Sequence, residues 1–198
     1  MSNLFAKLEQ EAFRAGITPR SQASIRWFKN KIGAMRSVNR QALMQEKEIQ
    51  RMQADSGMIG SMFMYFYDPK LKLTLPYYDK FPLIIMVGPA EGGFYGLNLH
   101  YLPMTLRAKF LDTLMGMTNN KKYDTSTTFN VKYEFLQKAA GAKYFKPCFK
   151  HYLTKHVRGQ VALVSAPEWE IATFLPTADF EKASQNTVWG DSRRIING

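Results

Sequence analysis

The chain has 198 residues, is 45% hydrophobic and 14% aromatic, and carries a formal net charge of +11. That length and composition supply one domain with a real core and exclude a disordered chain. No apolar run approaches the roughly 20 residues that cross a bilayer, and the first residues lack the apolar stretch of a secretory signal.

Cys148 is the single cysteine, so an intrachain disulfide is impossible and a reducing compartment is the natural home. The positive charge is unevenly spread. Residues 1–55 hold ten Lys/Arg against five acids, and residues 121–158 hold nine against two. Residues 56–120 are nearly neutral, and residues 159–198 are slightly acidic. Cations gathered in two segments form an electrostatic footprint for a polyanion.

In chain order, residues 3–15 place Leu4, Phe5, Leu8, Ala12 and Ala15 on one helical face, and Gly16 with "TP" ends that helix. A second helix starts after Pro19 with Ser21 as cap. Its apolar positions Ile25, Phe28, Ile32, Met35 and Val38 recur every three or four residues. Gly33 weakens it, and a break falls near Ser37–Asn39. Residues 1–57 thus form a helical, basic N-terminal arm. No acid lies between Glu11 and Glu46, whereas Arg14, Arg20, Arg26, Lys29, Lys31, Arg36 and Arg40 all do. The apolar side of this arm needs a partner: its own domain, another copy, or another protein of an assembly. A membrane surface is disfavoured, because Gln22, Asn30, Asn39 and Gln41 dilute the amphipathic pattern.

Residues 58–198 read as a compact α+β domain. Strands near 61–67, 83–88, 93–102, 160–166 and 169–175 close a small antiparallel barrel or half-barrel, the last two as a hairpin. Residues 104–157 form a helical insertion between those strands. It opens with an amphipathic helix behind Pro103 that carries Leu106, Phe110, Leu111 and Leu114. A helix over 129–141 and a turn plus helix over 142–158 follow. Residues 177–198 hold a short helix and an irregular tail.

The Gly-rich stretch "GPAEGG", Gly88 to Gly93, lacks the Lys and hydroxyl of a P-loop, and no helix follows it as a dinucleotide fingerprint requires. A five-residue hairpin loop with glycine at positive φ accounts for it. Cys148 and His151 are half of a zinc site at most, and no fourth ligand is evident. The acids Asp68, Asp79, Glu91 and Asp112 match no nuclease spacing, and Asp68 and Asp79 fit turns. No catalytic residue, metal site or cofactor follows from these residues.

The second basic segment carries Lys138, Lys143, Lys146, Lys150, Lys155 and Arg158, interleaved with Tyr144, Phe145, Phe149 and Tyr152. Cations at that spacing line one side of a helix and neutralise phosphates, while Tyr144 or Phe145 stacks on a terminal base. The simpler reading of the aromatics is core.

The blocks "MYFYDPK", "LPYYDKFPLIIMVGPAEGGFYGLNLHYLP", "LRAKFLD", "YFKPCFKHYLTKHVRG" and "EWEIATFLP…VWGDSRR" resemble the DNA end protector, a head-completion protein family of T-even-type contractile-tailed bacteriophages. The resemblance spans roughly residues 61–194 and leaves the N-terminal arm outside. It implies a non-catalytic virion protein, made in the host bacterial cytoplasm and bound to double-stranded DNA ends. Such a protein shields those ends from host exonuclease and meets other virion proteins of the neck, portal, tail or baseplate, or further copies of itself. No DNA-contact residues carry over from the family, so the site rests on charge pattern alone. The alternative is a baseplate or neck adaptor that joins neighbouring subunits through its arm.

Overall fold

Two capped helices open the chain. In α1 (Leu4–Arg14), the Asn3 side chain accepts from the N–H groups of Phe5 and Ala6. In α2 (Gln22–Gly33), Ser21 and Ser24 cap each other's backbone reciprocally. Both devices satisfy N–H groups that a helix start leaves without partners. The helix ends at Gly33, and a short α3 (Arg40–Gln45) restarts the chain with Asn39 as cap. The computed structural model describes residues 3–52, 56–118, 134, 138 and 143–198.

The strands are β1 (Glu48–Gln50), β2 (Met62–Tyr67), β3 (Tyr78–Asp79), β4 (Leu83–Ala90), β5 (Gly93–Asn98), β6 (Phe149–Leu153), β7 (Val157–Val164) and β8 (Phe180–Glu181). Six of them form one antiparallel sheet in the order β1-β7-β2-β4-β5-β6, and β3 pairs with β8 as a separate ribbon. Among the described residues β1 and β6 are the edges of this antiparallel sheet, and no closed barrel is found. The helices with described bounds that follow the first strands are α4 (Met104–Thr118), α5 (Trp169–Phe174) and α6 (Gln185–Asn197).

Successive strand residues point to opposite faces, and both faces are covered. Met62, Met64, Leu83, Ile85, Val87 and Leu97 share one core with the helices. Phe63, Tyr65, Tyr67, Ile84, Met86 and Phe94 form a second core on the other side, with Tyr152 and Val161. Burial on both faces is why β2 and β4 read as unbroken apolar runs. The apolar side of the N-terminal helices finds its partner within the chain. Phe5, Leu8, Ile25, Phe28 and Ile32 belong to the first core. There α2 packs on α4 and α5. Ser24 donates its hydroxyl hydrogen bond to the buried Glu170, whose other oxygen accepts from the Arg20 N–H at 3.2 Å.

Four sequence expectations are corrected. Residues 169–175 are not a strand but α5, started when the Glu168 carboxylate reaches back to the Ser165 N–H and hydroxyl. All six α5 residues are buried, so no polar face marks the helix. Residues 149–158 are not helical: β6 adds to the free edge of β5, a 3₁₀ turn follows at Thr154–His156, and β7 begins at Val157. The helical insertion therefore ends before β6, and the helix expected over 129–141 lies outside the described residues apart from Glu134 and Lys138. The tail is not irregular: Ser184 caps the 13-residue α6, and Val188, Ser192 and Ile196 form its buried stripe. Finally, "GPAEGG" is a tighter turn than expected. Pro89 and Ala90 belong to β4, and only Glu91 and Gly92 turn the chain, with Gly92 at φ +68°. Gly93 serves by having no side chain, since a Cβ there would lie 1.8 Å from the Tyr152 carbonyl oxygen.

Candidate nucleic-acid interface

The predicted cations divide into those that hold the fold and those that face outward. Arg40 donates to the carbonyl oxygens of Thr177 and Ala178, both at 2.8 Å, and ties α3 to the chain before β8. Lys31 pairs with Glu11 at 2.7 Å, linking α2 to α1. Arg158 pairs with Asp68 across the surface. Arg20 sits at a left-handed φ of 56°, its backbone fixed on Glu170. Lys29 is half-buried, whereas Arg14, Arg26, Arg36, Lys138, Lys143, Lys146 and Lys155 are exposed.

Two neighbouring hollows join the two basic segments across α4. One is lined by Gln22, Ile25, Arg26, Ala108, Lys109 and Asp112. The other, of about 150 Å³, is lined by Leu106, Lys109, Phe110, Thr113, Tyr144 and Phe145. Lys109 borders both, so it stands between Arg26 of the arm and Tyr144 of the second segment. Sequence reading missed Lys109, a lone cation in a nearly neutral stretch. Its only signal was its place on the polar face of an amphipathic helix, one position before Phe110. Asp112 is occupied by Gln22, whose side-chain amide donates to it at 3.4 Å.

The aromatics separate in the same way. Tyr144 is 60% exposed. Phe145 is half-buried, its ring 4.9 Å from that of Phe110, and Phe149 stacks on Tyr95 at 5.1 Å. Of Tyr144 and Phe145, Tyr144 thus offers the freer ring. Lys150 does not line a helix face. It projects from β6 on the same side as Tyr152, with its ammonium 4.2 Å from the centre of the Tyr101 ring.

The acids considered for metal chemistry are scattered. Asp68 pairs with Lys72 and Arg158, and both pull its carboxyl below the usual range. Asp79 lies in a buried network. Its Oδ2 accepts from His100 Nδ1 at 2.7 Å and from the Asn98 side chain at 3.0 Å, and its Oδ1 accepts from the N–H groups of Phe81 and Asp179. His100 Nε2 meets the Thr177 hydroxyl at 3.0 Å. This Asp–His–Thr line resembles a nucleophile relay, but His100 and Thr177 are fully buried and only the edge of Asp79 reaches a tyrosine-lined cavity, so the imidazole and the hydroxyl meet no substrate. Burial holds the imidazole below its ordinary pKa, leaving a neutral ring that donates to Asp79. Burial also pushes the Cys148 thiol up to about 12, and its S–H contacts the Phe145 carbonyl. Among the described residues, no group of three or more His, Cys, Asp or Glu could hold a metal ion. No described helix is long and apolar enough to cross a membrane.

Two cation-bearing segments thus flank α4 beside an exposed tyrosine. The family comparison gives the particular class. The family model described as Phage T4 terminal DNA protecting protein matches residues 3–192. The chain belongs to that family and is a bacteriophage virion protein that protects DNA ends. The match takes in the N-terminal helices, which the resemblance over 61–194 had left outside. Comparison with curated proteins and with solved structures gives no match.

Proposed function

We propose that the protein protects DNA ends without catalysis, by binding the duplex through its backbone phosphates. The outward cations Arg26, Lys109, Lys143 and Lys146 contact phosphates, and Tyr144 stacks on a terminal base. Arg14, Arg36, Lys138 and Lys155 add long-range attraction. One observation carries this reading: Lys109 bridges the two basic segments beside an exposed aromatic ring. Phosphate contacts release counterions, so affinity falls steeply with salt and carries no sequence preference. Base–aromatic stacking contributes roughly 1–3 kcal/mol per base and tolerates any base. A protein working this way occludes the end from exonucleases in proportion to its residence there, and needs no metal or cofactor. Its other partners are neighbouring virion proteins of the neck, portal, tail or baseplate, or a second copy of the chain.

The test is binding to linear duplex against covalently closed circular DNA of the same sequence, over a salt series. Preference for the linear form, lost as salt rises, is the expected result. Equal binding to both forms overturns end capping and favours the reading as an adaptor between virion subunits.

A further inference from the structure

A DNA end differs chemically from the rest of a duplex in two ways: it exposes the face of a base pair, and it carries a terminal phosphate monoester or hydroxyl. The outward cations treat all phosphates alike. A second, more enclosed feature does not.

Beside β6 lies a cavity of about 240 Å³ whose walls include Tyr67, Tyr77, Tyr78, Tyr101, Tyr152 and Lys150. It is below the roughly 300–1,000 Å³ of a drug-sized site and admits a single terminal group, not a duplex. Lys150 makes no ion pair or hydrogen bond among the described residues, and its ammonium rests on the Tyr101 ring. A half-buried ammonium with only a ring for company is a costly arrangement unless an anion completes it. The one carboxylate on the wall, Asp79, is already filled by four donors from His100, Asn98, Phe81 and Asp179. Arg107, fully buried, donates to the His100 carbonyl on the far side of that network.

We infer that this cavity is a site for the terminal phosphate monoester of a DNA strand, with the Lys150 ammonium as its counter-charge and the tyrosines as its walls. Burial keeps the hydroxyls of Tyr67 and Tyr101 protonated, so they remain donors beside a phosphate, whereas the Tyr77 hydroxyl is engaged by Asp191. Burial also pulls the Lys150 ammonium below its ordinary pKa, and a bound anion would reverse that pull. The site is largely preformed. Pro69, Leu75 and Pro76 line its rim, and Lys182 fastens this loop by donating to the carbonyl oxygens of Lys72, Leu73 and Leu75 at 2.6, 3.0 and 3.0 Å. It also lies within reach of the first interface. The C-terminal helix α6 touches both the turn that carries Tyr101 and the turn that carries Tyr144. A helix of 13 residues is about 20 Å long.

This inference rests on the end-binding reading and is tested separately from it. The full chain is titrated with linear duplexes whose strands end in 5′-phosphate, 3′-phosphate or hydroxyl only, with closed circular DNA alongside. A terminal phosphate should tighten binding by at least about tenfold over the hydroxyl end, and the 5′ and 3′ arms identify which strand end is held. Lys150→Met should erase that difference while leaving affinity for circular DNA unchanged. If all linear ends bind equally well and better than circles, the terminal-phosphate site is wrong and end binding stands. If linear and circular DNA bind equally, the end-binding reading itself fails. Should Lys150→Met not fold, the comparison of ends with the unmodified protein still decides the matter.

Discussion

The two basic segments have similar charge on paper and different lives in the fold. In residues 14–40, Lys31 and Arg40 are spent on the protein itself, pairing with Glu11 and with the Thr177 and Ala178 carbonyls. In residues 143–158, Lys143, Lys146 and Lys155 are exposed and Lys150 faces a tyrosine-walled cavity. The same residue types are thus partly committed to the fold in the first region and, Arg158 apart, mostly left uncommitted in the second. What separates them is whether a carbonyl or carboxylate already stands in hydrogen-bond reach. Charge density along a sequence measures the supply of cations but not their commitments.

Substitutions can break or sharpen that contrast. The largest effect should come from Arg107→Ala. This fully buried guanidinium donates to the carbonyls of Leu102, His100 and Thr173, and burial lowers its pKa to about 9. Truncation leaves a cavity and strips the Leu102 and Thr173 carbonyls of this donor, while the His100 carbonyl keeps the Trp189 indole N–H, a loss of roughly 3–5 kcal/mol by denaturant unfolding. A change under about 1 kcal/mol would mean that these carbonyls find other donors. Next, Lys143→Glu with Lys146→Glu should weaken duplex binding at least tenfold, and removing two phosphate contacts should lower the salt slope by about two. The melting temperature should not move. Reversing Lys70 and Lys72 instead should cost far less, because Lys72 is paired with Asp68. Equal losses from the two pairs would make the charge diffuse and dissolve the contrast.

Acidification should act on the buried network. The folded-state pKa of His100 is depressed by burial, so the unfolded chain takes up its proton first. Its contribution is intact above about 6.5 and is lost as pH falls below that value. Asp79 is depressed as well: burial pushes it up, but His100, Asn98 and the Asp179 N–H together outweigh that push, and its share is lost below about 3.9. Glu170 works in the opposite sense, since burial raises its pKa and protonation relieves it. Unfolding free energy measured from pH 7.5 down to 5.5 should therefore decline in the unmodified protein and decline less in His100→Asn. Parallel curves would remove His100 from the account. The smallest effect belongs to Arg158→Ala, an exposed pair with Asp68 that should cost below about 1 kcal/mol.

What could be read beforehand was local. Ser21 as a cap, the apolar runs of β2 and β4, and the amphipathic α4 each declare themselves within a dozen residues. What could not be read depended on distant partners. The cations of 143–158 recur every three to five residues and imitate a helix, yet β6 forms because the edge of β5, more than 50 residues earlier, supplies its hydrogen bonds. The buried α5 has no polar face to betray its period. Tyr144 was legible as an aromatic among cations, but Lys109 gained meaning only once α4 lay between the two basic segments. The relay of Asp79, His100 and Thr177 spans 98 positions and has no motif.

The hydrogen bond from Ser24 to Glu170 crosses 146 positions, and that separation sets an order in time. Helices of 11 and 12 residues such as α1 and α2 are marginal alone in water. The elements that cover their apolar sides include α5, near the end of the chain. At about 5–20 residues per second, roughly 7–30 s pass on the ribosome between synthesis of Ser24 and synthesis of Glu170. Throughout that interval Phe5, Ile25, Phe28 and Ile32 lack part of the surface that will bury them, the part supplied by α5. A nascent chain released short of α5 would keep a sticky, basic N-terminus with an incomplete core to join, and would be a target for chaperones or a seed for aggregation.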